Sequence, residues 1–422
     1  MCWAMTSFLY FAPLNRNMDN STKISKLEGK VQPYTWGGSQ FIPALLQQQN
    51  PDNKPFAEYW MGAHDNAPAV VTGTDGQQQP LNALLAAHPA LLGKKVQGEF
   101  GKLPYLFKVL DVKDMLSIQV HPEKQAAIAD FAAENAKGVA LNAPHRNYKD
   151  DNHKPELMYA LSEFWLLHGF KTADQLKQVL EATPELRFLL PVFGEGNYAA
   201  LYKTAMEMDQ QAVNEHLQPL VDRILPLYEK GALKRAQEDF WAARAFNTFC
   251  EPGRIDRGIF SIYFFNVVNL HPGEAIFQDA GILHAYLEGQ NMEIMANSDN
   301  VLRGGLTNKH VDVQELMKHV RFEPIVPTVI TGVPGSSAGE EIFPTPAKDF
   351  ELHRITLKAG GTTTITSTTV DIFFVYAGDV DASAGAETVR LQQGEALLAV
   401  AGTALTINTV KGTEVFVATV PA

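Results

Sequence analysis

The feature that most restricts this fold is a change of rhythm near residue 171. From 24 to 170 the chain runs in short apolar segments broken by Gly, Pro and Asn, and such segments return after 250. Between them, residues 171–250 repeat apolar side chains at helical spacing. Strands at even spacing with turns between them build antiparallel jelly-roll sheets rather than βαβ units. The expected fold is mainly β with an α-helical insertion. At 422 residues more than one core is expected. The division is an N-terminal extension (1–23), a first jelly roll (24–170 with 251–322), a helical domain (171–250) and a C-terminal jelly roll (323–422).

Strands are expected at Tyr34–Gly38 and Glu58–His64, and small helices at Asn82–Ala87 and Lys124–Glu134. Thr172-Ala173-Asp174-Gln175 has the form of a capping box ahead of Leu176, Val179 and Leu180. Val213, Leu217, Leu220, Val221, Ile224 and Leu225 make a stripe that Pro219 and Pro226 interrupt, which predicts two helices or a kinked one. Gly231 is placed to follow its C-terminus. A further helix is expected over Leu233–Phe249, a strand over Gly258–Leu270 and a helix over Val311–Val320. In the tail, Thr362–Thr366 alternates and Ile372–Tyr376 reads as a buried strand.

A hydrophobic content of 45% and a charged content of 19% suit a globular chain. The net charge of −12 argues against a nucleic-acid partner, while a local cluster of Lys and Arg can still hold an anionic small molecule. Cys2 and Cys250 are too few for a disulfide framework or a Cys-rich zinc site, which points to the cytoplasm. The apolar start lacks a basic residue before Arg16 and is too short to span a membrane, so neither signal peptide nor membrane partner is expected. Residues 1–17 are expected to be dispensable.

Leu116-Ser117-Ile118-Gln119-Val120-His121-Pro122 ends an apolar strand pattern. Residues two apart share a strand face, so Gln119 and His121 project together, with Ser117 beside them. Glu156 heads the strand Leu157–Leu161, and His284 follows the turn Asp279-Ala280-Gly281. Two imidazoles, a carboxylate and an amide oxygen suit Zn²⁺ or a similar ion with positions left open. His153 competes with Glu156, but it lies in the polar loop while Glu156 adjoins the strand.

Ser117-Ile118-Gln119-Val120-His121-Pro122, Asn152-His153-Lys154-Pro155-Glu156, His284-Ala285-Tyr286-Leu287 and the run from Glu293 to Thr307 occur in this order. Together they resemble the type I mannose-6-phosphate isomerases. The resemblance extends from Tyr34 to Phe322 and more faintly to the C-terminus. It implies cupin-type jelly-roll domains with an inserted helical domain and one zinc per subunit. By resemblance the ligands are Gln119, His121, Glu156 and His284, and Arg303 is the active-site arginine. Gly304-Gly305 departs from the family's frequent Ala-Gly, and Asn308-Lys309-His310 from its usual Pro-Lys.

The implied reaction moves a proton between C1 and C2 of a sugar phosphate through an enediol(ate), feeding mannose metabolism. Arg303 would stabilise negative charge, because its high pKa unsuits it to carry the proton. Glu293 is the first choice of base, with Lys154, Asp299 and His64 as the other candidates. Lys154 serves as acid or orienting group, or pairs with Asp150 or Asp151. Ser117, Lys108 and Lys124 are candidate phosphate donors, and Tyr286 joins the substrate-binding set. Lys108 lies in an apolar run, so a functional partner or a buried ion pair is expected for it. The expected partner is the sugar phosphate, and the expected state a monomer. A cupin Fe(II) dioxygenase and a non-enzymatic sugar-binding protein are the readings from other classes.

Overall fold

The structure, a computed structural model, describes residues 22–73 and 76–421. The expectations for 1–17, and for nearly all of 1–23, fall outside them.

Two antiparallel sheets carry the β structure of the described residues, one of ten strands and one of twelve. The spine of the first is the long strand His284–Ala296. It pairs with Tyr105–Val112, Glu156–Ala160, Phe164–Phe170 and, at His284 alone, with Gln119–Val120. Four stretches far apart in sequence are thus stitched to one strand, and the site residues ride on them.

The second sheet gathers the C-terminal strands together with Ile24–Glu28, Val70–Thr72 and Gln78–Pro80. Its register with the start of the chain is Ile24 opposite Ala399 and Leu27 opposite Ala396. The two sheets pack through one shared apolar core in which Tyr59, Phe107, Val109 and Ile294 meet Ile372, Phe374, Leu398 and Phe416. Alternation in each strand turns the intervening residues inward, into the hollow of each roll.

The helices over 173–249, with Gly258–Phe264, form a separate cluster. It covers the outward Trp165, Leu167 and Phe170 of one strand and Ala285 and Leu287 of the spine. The capping box at Thr172 is formed in full, with both reciprocal hydrogen bonds. Gly231 follows the helix Gln210–Glu229 with φ 66°.

Four expectations are corrected. Pro219 and Pro226 lie inside one continuous helix, Gln210–Glu229, which overturns the alternative of two separate helices. Both prolines, and the Glu215 and Asp222 residues whose carbonyls they deprive of a donor, are exposed, so water can satisfy those groups. Gly258–Phe264 is a helix and only Phe265–Leu270 is strand. Every residue of that helix is buried, which erases the periodicity that separates helix from strand. The helix expected from Leu233 begins at Glu238, with Glu238 and Asp239 in its first turn where the helix dipole favours anions. Tyr34–Gly38 is a turn with a single bridge from Gly37 to Val112. A Cβ on Gly37 would lie 2.4 Å from Ala57 Cα, so the close crossing requires glycine. Among the described residues no helix is long and apolar enough to cross a membrane.

Candidate metal centre

Registry places the centre at the end of the first roll. Gln119 stands opposite both His284 and Arg303 in neighbouring strands. His121 directly follows that strand and is fully buried. Its Nδ1 lies 2.7 Å from the carbonyl of Asn300, and His284 Nδ1 lies 2.9 Å from the carbonyl of Ile282. Each carbonyl accepts from its ring, which leaves both Nε2 lone pairs pointing inward.

Glu156 sits between them. Its Oε1 is 3.4 Å from His121 Nε2 and its Oε2 is 3.4 Å from His284 Nε2. The amide end of Gln119 lies 3.3 Å from His284 Nε2 and, turned over, offers its oxygen. The ligand atoms of His121, Glu156 and His284 all lie within 4.8 Å of one another. His121 Nε2 and Glu156 Oε2 are buried without any hydrogen-bond partner among the described residues. Orphaned acceptors of this kind are costly unless something else binds them. Neutral imidazoles, one carboxylate and an amide fit a divalent ion. Burial pulls the His121 imidazole down to about 4, so it stays neutral. Burial opposes ionisation of Glu156, but the Lys154 ammonium leads the groups that outweigh it and hold the carboxyl well below its usual range. His153 is turned away, 3.0 Å from Asp349, and is no ligand.

The hollow beneath is charged. Lys108 Nζ lies 3.1 Å from Glu293 and 3.4 Å from Glu58, over the face of Trp60. This is the buried ion pair expected of an ammonium in an apolar run. The Tyr286 hydroxyl donates to the other oxygen of Glu293 at 2.8 Å. Burial, with Glu156 and Glu58 nearby, pushes the Glu293 carboxyl up against the pull of Lys108. Lys154 Nζ is 3.2 Å from Glu156 Oε1, so its partner is neither Asp150 nor Asp151. Asp299 is more open and takes His64 Nε2 at 3.2 Å.

Two proposed phosphate donors are engaged elsewhere. Lys108 is closed between carboxylates, and Lys124 is an exposed residue that donates to Asn152 Oδ1 at 2.7 Å. Ser117 and Gln119 are half-buried and alternate with buried Ile118 and Val120, as period two requires. Arg303 is half-buried, and its guanidinium has no hydrogen bond or ion pair among the described residues. Burial lowers its pKa. Lys149 and Lys309 are also lowered, first by burial and then, among other charges, by Arg303. Sequence reasoning gave neither lysine a role. Lys309 stood in view within the departure Asn308-Lys309-His310, read there only as a turn.

A cupin-like roll with a two-His, one-Glu, one-Gln centre defines the class: a metal-dependent enzyme on a jelly-roll scaffold. Residues 24–173 match the family "Phosphomannose isomerase type I, catalytic domain". The mannose-6-phosphate isomerase of Escherichia coli K12 is 37% identical over 380 residues, covering 88% of this chain and 93% of that protein. The bovine enzyme is 33% identical over 393 residues, covering 86% and 89%. A variant of the phosphomannose isomerase from Salmonella typhimurium superposes with a TM-score of 0.85 at 32% identity, over 95% of this chain and all of that one. A mannose 6-phosphate isomerase crystallised with zinc gives 0.83 at 31%, with the same coverage. The chain belongs to the type I mannose-6-phosphate isomerase family.

Proposed function

We propose that this enzyme interconverts mannose 6-phosphate and fructose 6-phosphate with zinc held by Gln119, His121, Glu156 and His284. The observation that carries the ligand set is the pair of orphaned buried acceptors, His121 Nε2 and Glu156 Oε2, facing each other's partners. Zinc, when bound, supplies Lewis-acid stabilisation for charge on the sugar oxygens, an effect of several kcal/mol.

The chain's own residues do the rest. An aldose–ketose exchange needs a group that takes the proton from C2 and returns it to C1. Glu293 has the features of such a group: a carboxyl raised by burial and fixed in direction by Lys108 and Tyr286. Arg303, one strand from Gln119, offers fixed positive charge to the enediolate. Lys154 holds Glu156 ionised and orders that side of the pocket. Lys309, whose ammonium has no hydrogen bond or ion pair among the described residues, is a better phosphate candidate than Lys108 or Lys124, while Lys149 already donates to the carbonyls of Leu141 and Ala143; Ser117 stays a candidate on the face of Gln119. The monomer remains the proposed state, and the catalytic roll is proposed to lie within 24–170 and 251–322, less the strands Ile24–Glu28, Val70–Thr72 and Gln78–Pro80 that pair in the second sheet and the helix Gly258–Phe264 that packs with the helical cluster.

A second reading of the base rests on Asp299, whose side chain is 38% exposed while that of Glu293 is only 4% exposed. The test is Glu293→Gln beside Asp299→Asn, both zinc-loaded, scored by turnover and by solvent-deuterium uptake into the sugar. We expect Glu293→Gln to lose about 10²- to 10⁴-fold in both with zinc retained. The opposite ranking would transfer the role to Asp299.

A further inference from the structure

Arg303 occupies a strand of two residues, Leu302–Arg303, whose one ladder partner is the equally short Gln119–Val120. Two backbone bonds continue the pairing, Gly304 N to Ile118 O at 2.8 Å and Ile118 N to Gly305 O at 3.1 Å. A pairing this short does not by itself fix where a long arginine points. What fixes the turn beyond it comes from the helical side of the molecule.

Tyr202, on the helix Tyr198–Glu207, is fully buried. Its ring is wedged against Phe170 at 5.7 Å, Phe265 at 6.1 Å and Phe322 at 6.3 Å between centroids. The hydroxyl therefore cannot swing aside. It lies where a side chain on Gly304 would begin: a Cβ there would be 2.5 Å from Tyr202 Oη. The next residue, Gly305, has φ 116° and would place a Cβ 2.5 Å from Gly258 Cα, at the head of the helix Gly258–Phe264. Asp256 completes the seat. Its Oδ1 accepts from Gly258 N at 2.7 Å and from Leu306 N at 2.8 Å, and its Oδ2 from Thr307 N at 3.2 Å. Leu306, fully buried, is held at φ 52°, a left-handed conformation that persists only where its surroundings over-determine it.

We propose that the helical insertion, together with the segment Asp256–Gly258 that follows it, is the positioning scaffold for Arg303, with Tyr202 and Asp256 as the positioning residues that seat its turn. The inference rests on the reading that Arg303 acts on the substrate. Neither residue touches the reacting atoms. Their effect passes through the backbone of 304–307, and a misplacement of about 1 Å at a substrate-facing group is worth about 10²-fold in rate.

The test is a cycle of Gly304→Ala, Tyr202→Phe and the double variant, with Arg303→Ala alongside, each scored by kcat, KM and bound zinc. Gly304→Ala should lower kcat about 10- to 100-fold with KM changed far less and zinc unchanged. Phenylalanine at 202 removes the atom that the new methyl meets, so the double variant should regain most of the loss. Should Gly304→Ala fail to fold, Asp256→Asn reads the same device and should lower kcat about tenfold with zinc in place. Wild-type kinetics in Gly304→Ala, or a loss that Tyr202→Phe does not relieve, overturns the proposal. A large loss in Arg303→Ala with none in Gly304→Ala or Asp256→Asn overturns the scaffold role alone. Unchanged turnover in Arg303→Ala overturns the reading of Arg303 and this inference with it.

Discussion

The two rolls share an architecture and differ in what fills them. Across the first sheet, one inward row runs Trp60, Lys108, Glu293, Met158, Ile276. Across the second, a comparable row runs His353, Val417, Phe373, Leu397. The first hollow holds Glu58, Lys108, Glu156, His284 and Glu293, all buried. The second is closed by Phe373, Val375, Leu397, Leu405 and Val415. Burying charge is expensive and burying a phenylalanine is favourable, so the same strand pattern yields a reactive cavity in one roll and a packed core in the other. The C-terminal roll also contributes the Ile372, Phe374 and Phe416 face on which the outer side of the catalytic sheet rests. Its contribution is a support and not a ligand.

The largest effect should come from the first hollow. His121→Ala removes one donor and should release zinc, with turnover falling about 10³-fold or more, the equivalent of several kcal/mol of lost charge stabilisation. Metal analysis and a coupled isomerase assay read it. Full turnover without bound metal would erase the contrast between the rolls. Next in size is Phe373→Ala in the second hollow. A buried phenylalanine lost from a close-packed core should cost about 4 kcal/mol of stability. The folded fraction should keep its zinc and its kcat, measured by denaturant unfolding beside activity. A collapse of kcat in fully folded Phe373→Ala would mean that the second roll does more than support.

How much of this was legible follows the same division. Gln119 and His121 were readable because period two needs only local sequence, and Glu156 and His284 because each sits at a strand start beside a turn. The capping box at Thr172 was readable for the same local reason. The run Gly258–Phe264 was not, since a wholly buried helix and a buried strand look alike in sequence. Nor was the pairing of Ile24–Leu27 with Ala396–Ala399, a contact across nearly the whole chain. Lys108 was flagged as needing a partner, but its choice of Glu58 and Glu293 over a phosphate is decided by strand registry. Gly304 was visible as a departure from the family pattern, while its cause, the hydroxyl of Tyr202, lies about a hundred residues away.

The smallest effect sharpens the comparison through pH. At the rim of the apolar hollow, His353 Nδ1 lies 2.8 Å from Glu340 and Nε2 lies 2.7 Å from Glu351. Burial pulls this imidazole down, but the two carboxylates outweigh burial and raise it to about 9. A group whose folded pKa is raised stabilises fully below its unfolded pKa of about 6.5, and that stability drains away as pH rises toward 9. The most it can contribute is about 3 kcal/mol. Burial also raises Asp371, to about 6, which makes stability fall with rising pH in the same sense but in a window ending below that of His353. Thermal unfolding of the zinc-loaded enzyme should therefore weaken between pH 6.5 and 9, and His353→Gln should flatten that slope. Zinc retention over the same range should not follow it, because Glu156 is already ionised and His121 already neutral there. An unfolding slope that survives in His353→Gln would place the titration in the charged hollow instead, and would make the two rolls one electrostatic unit.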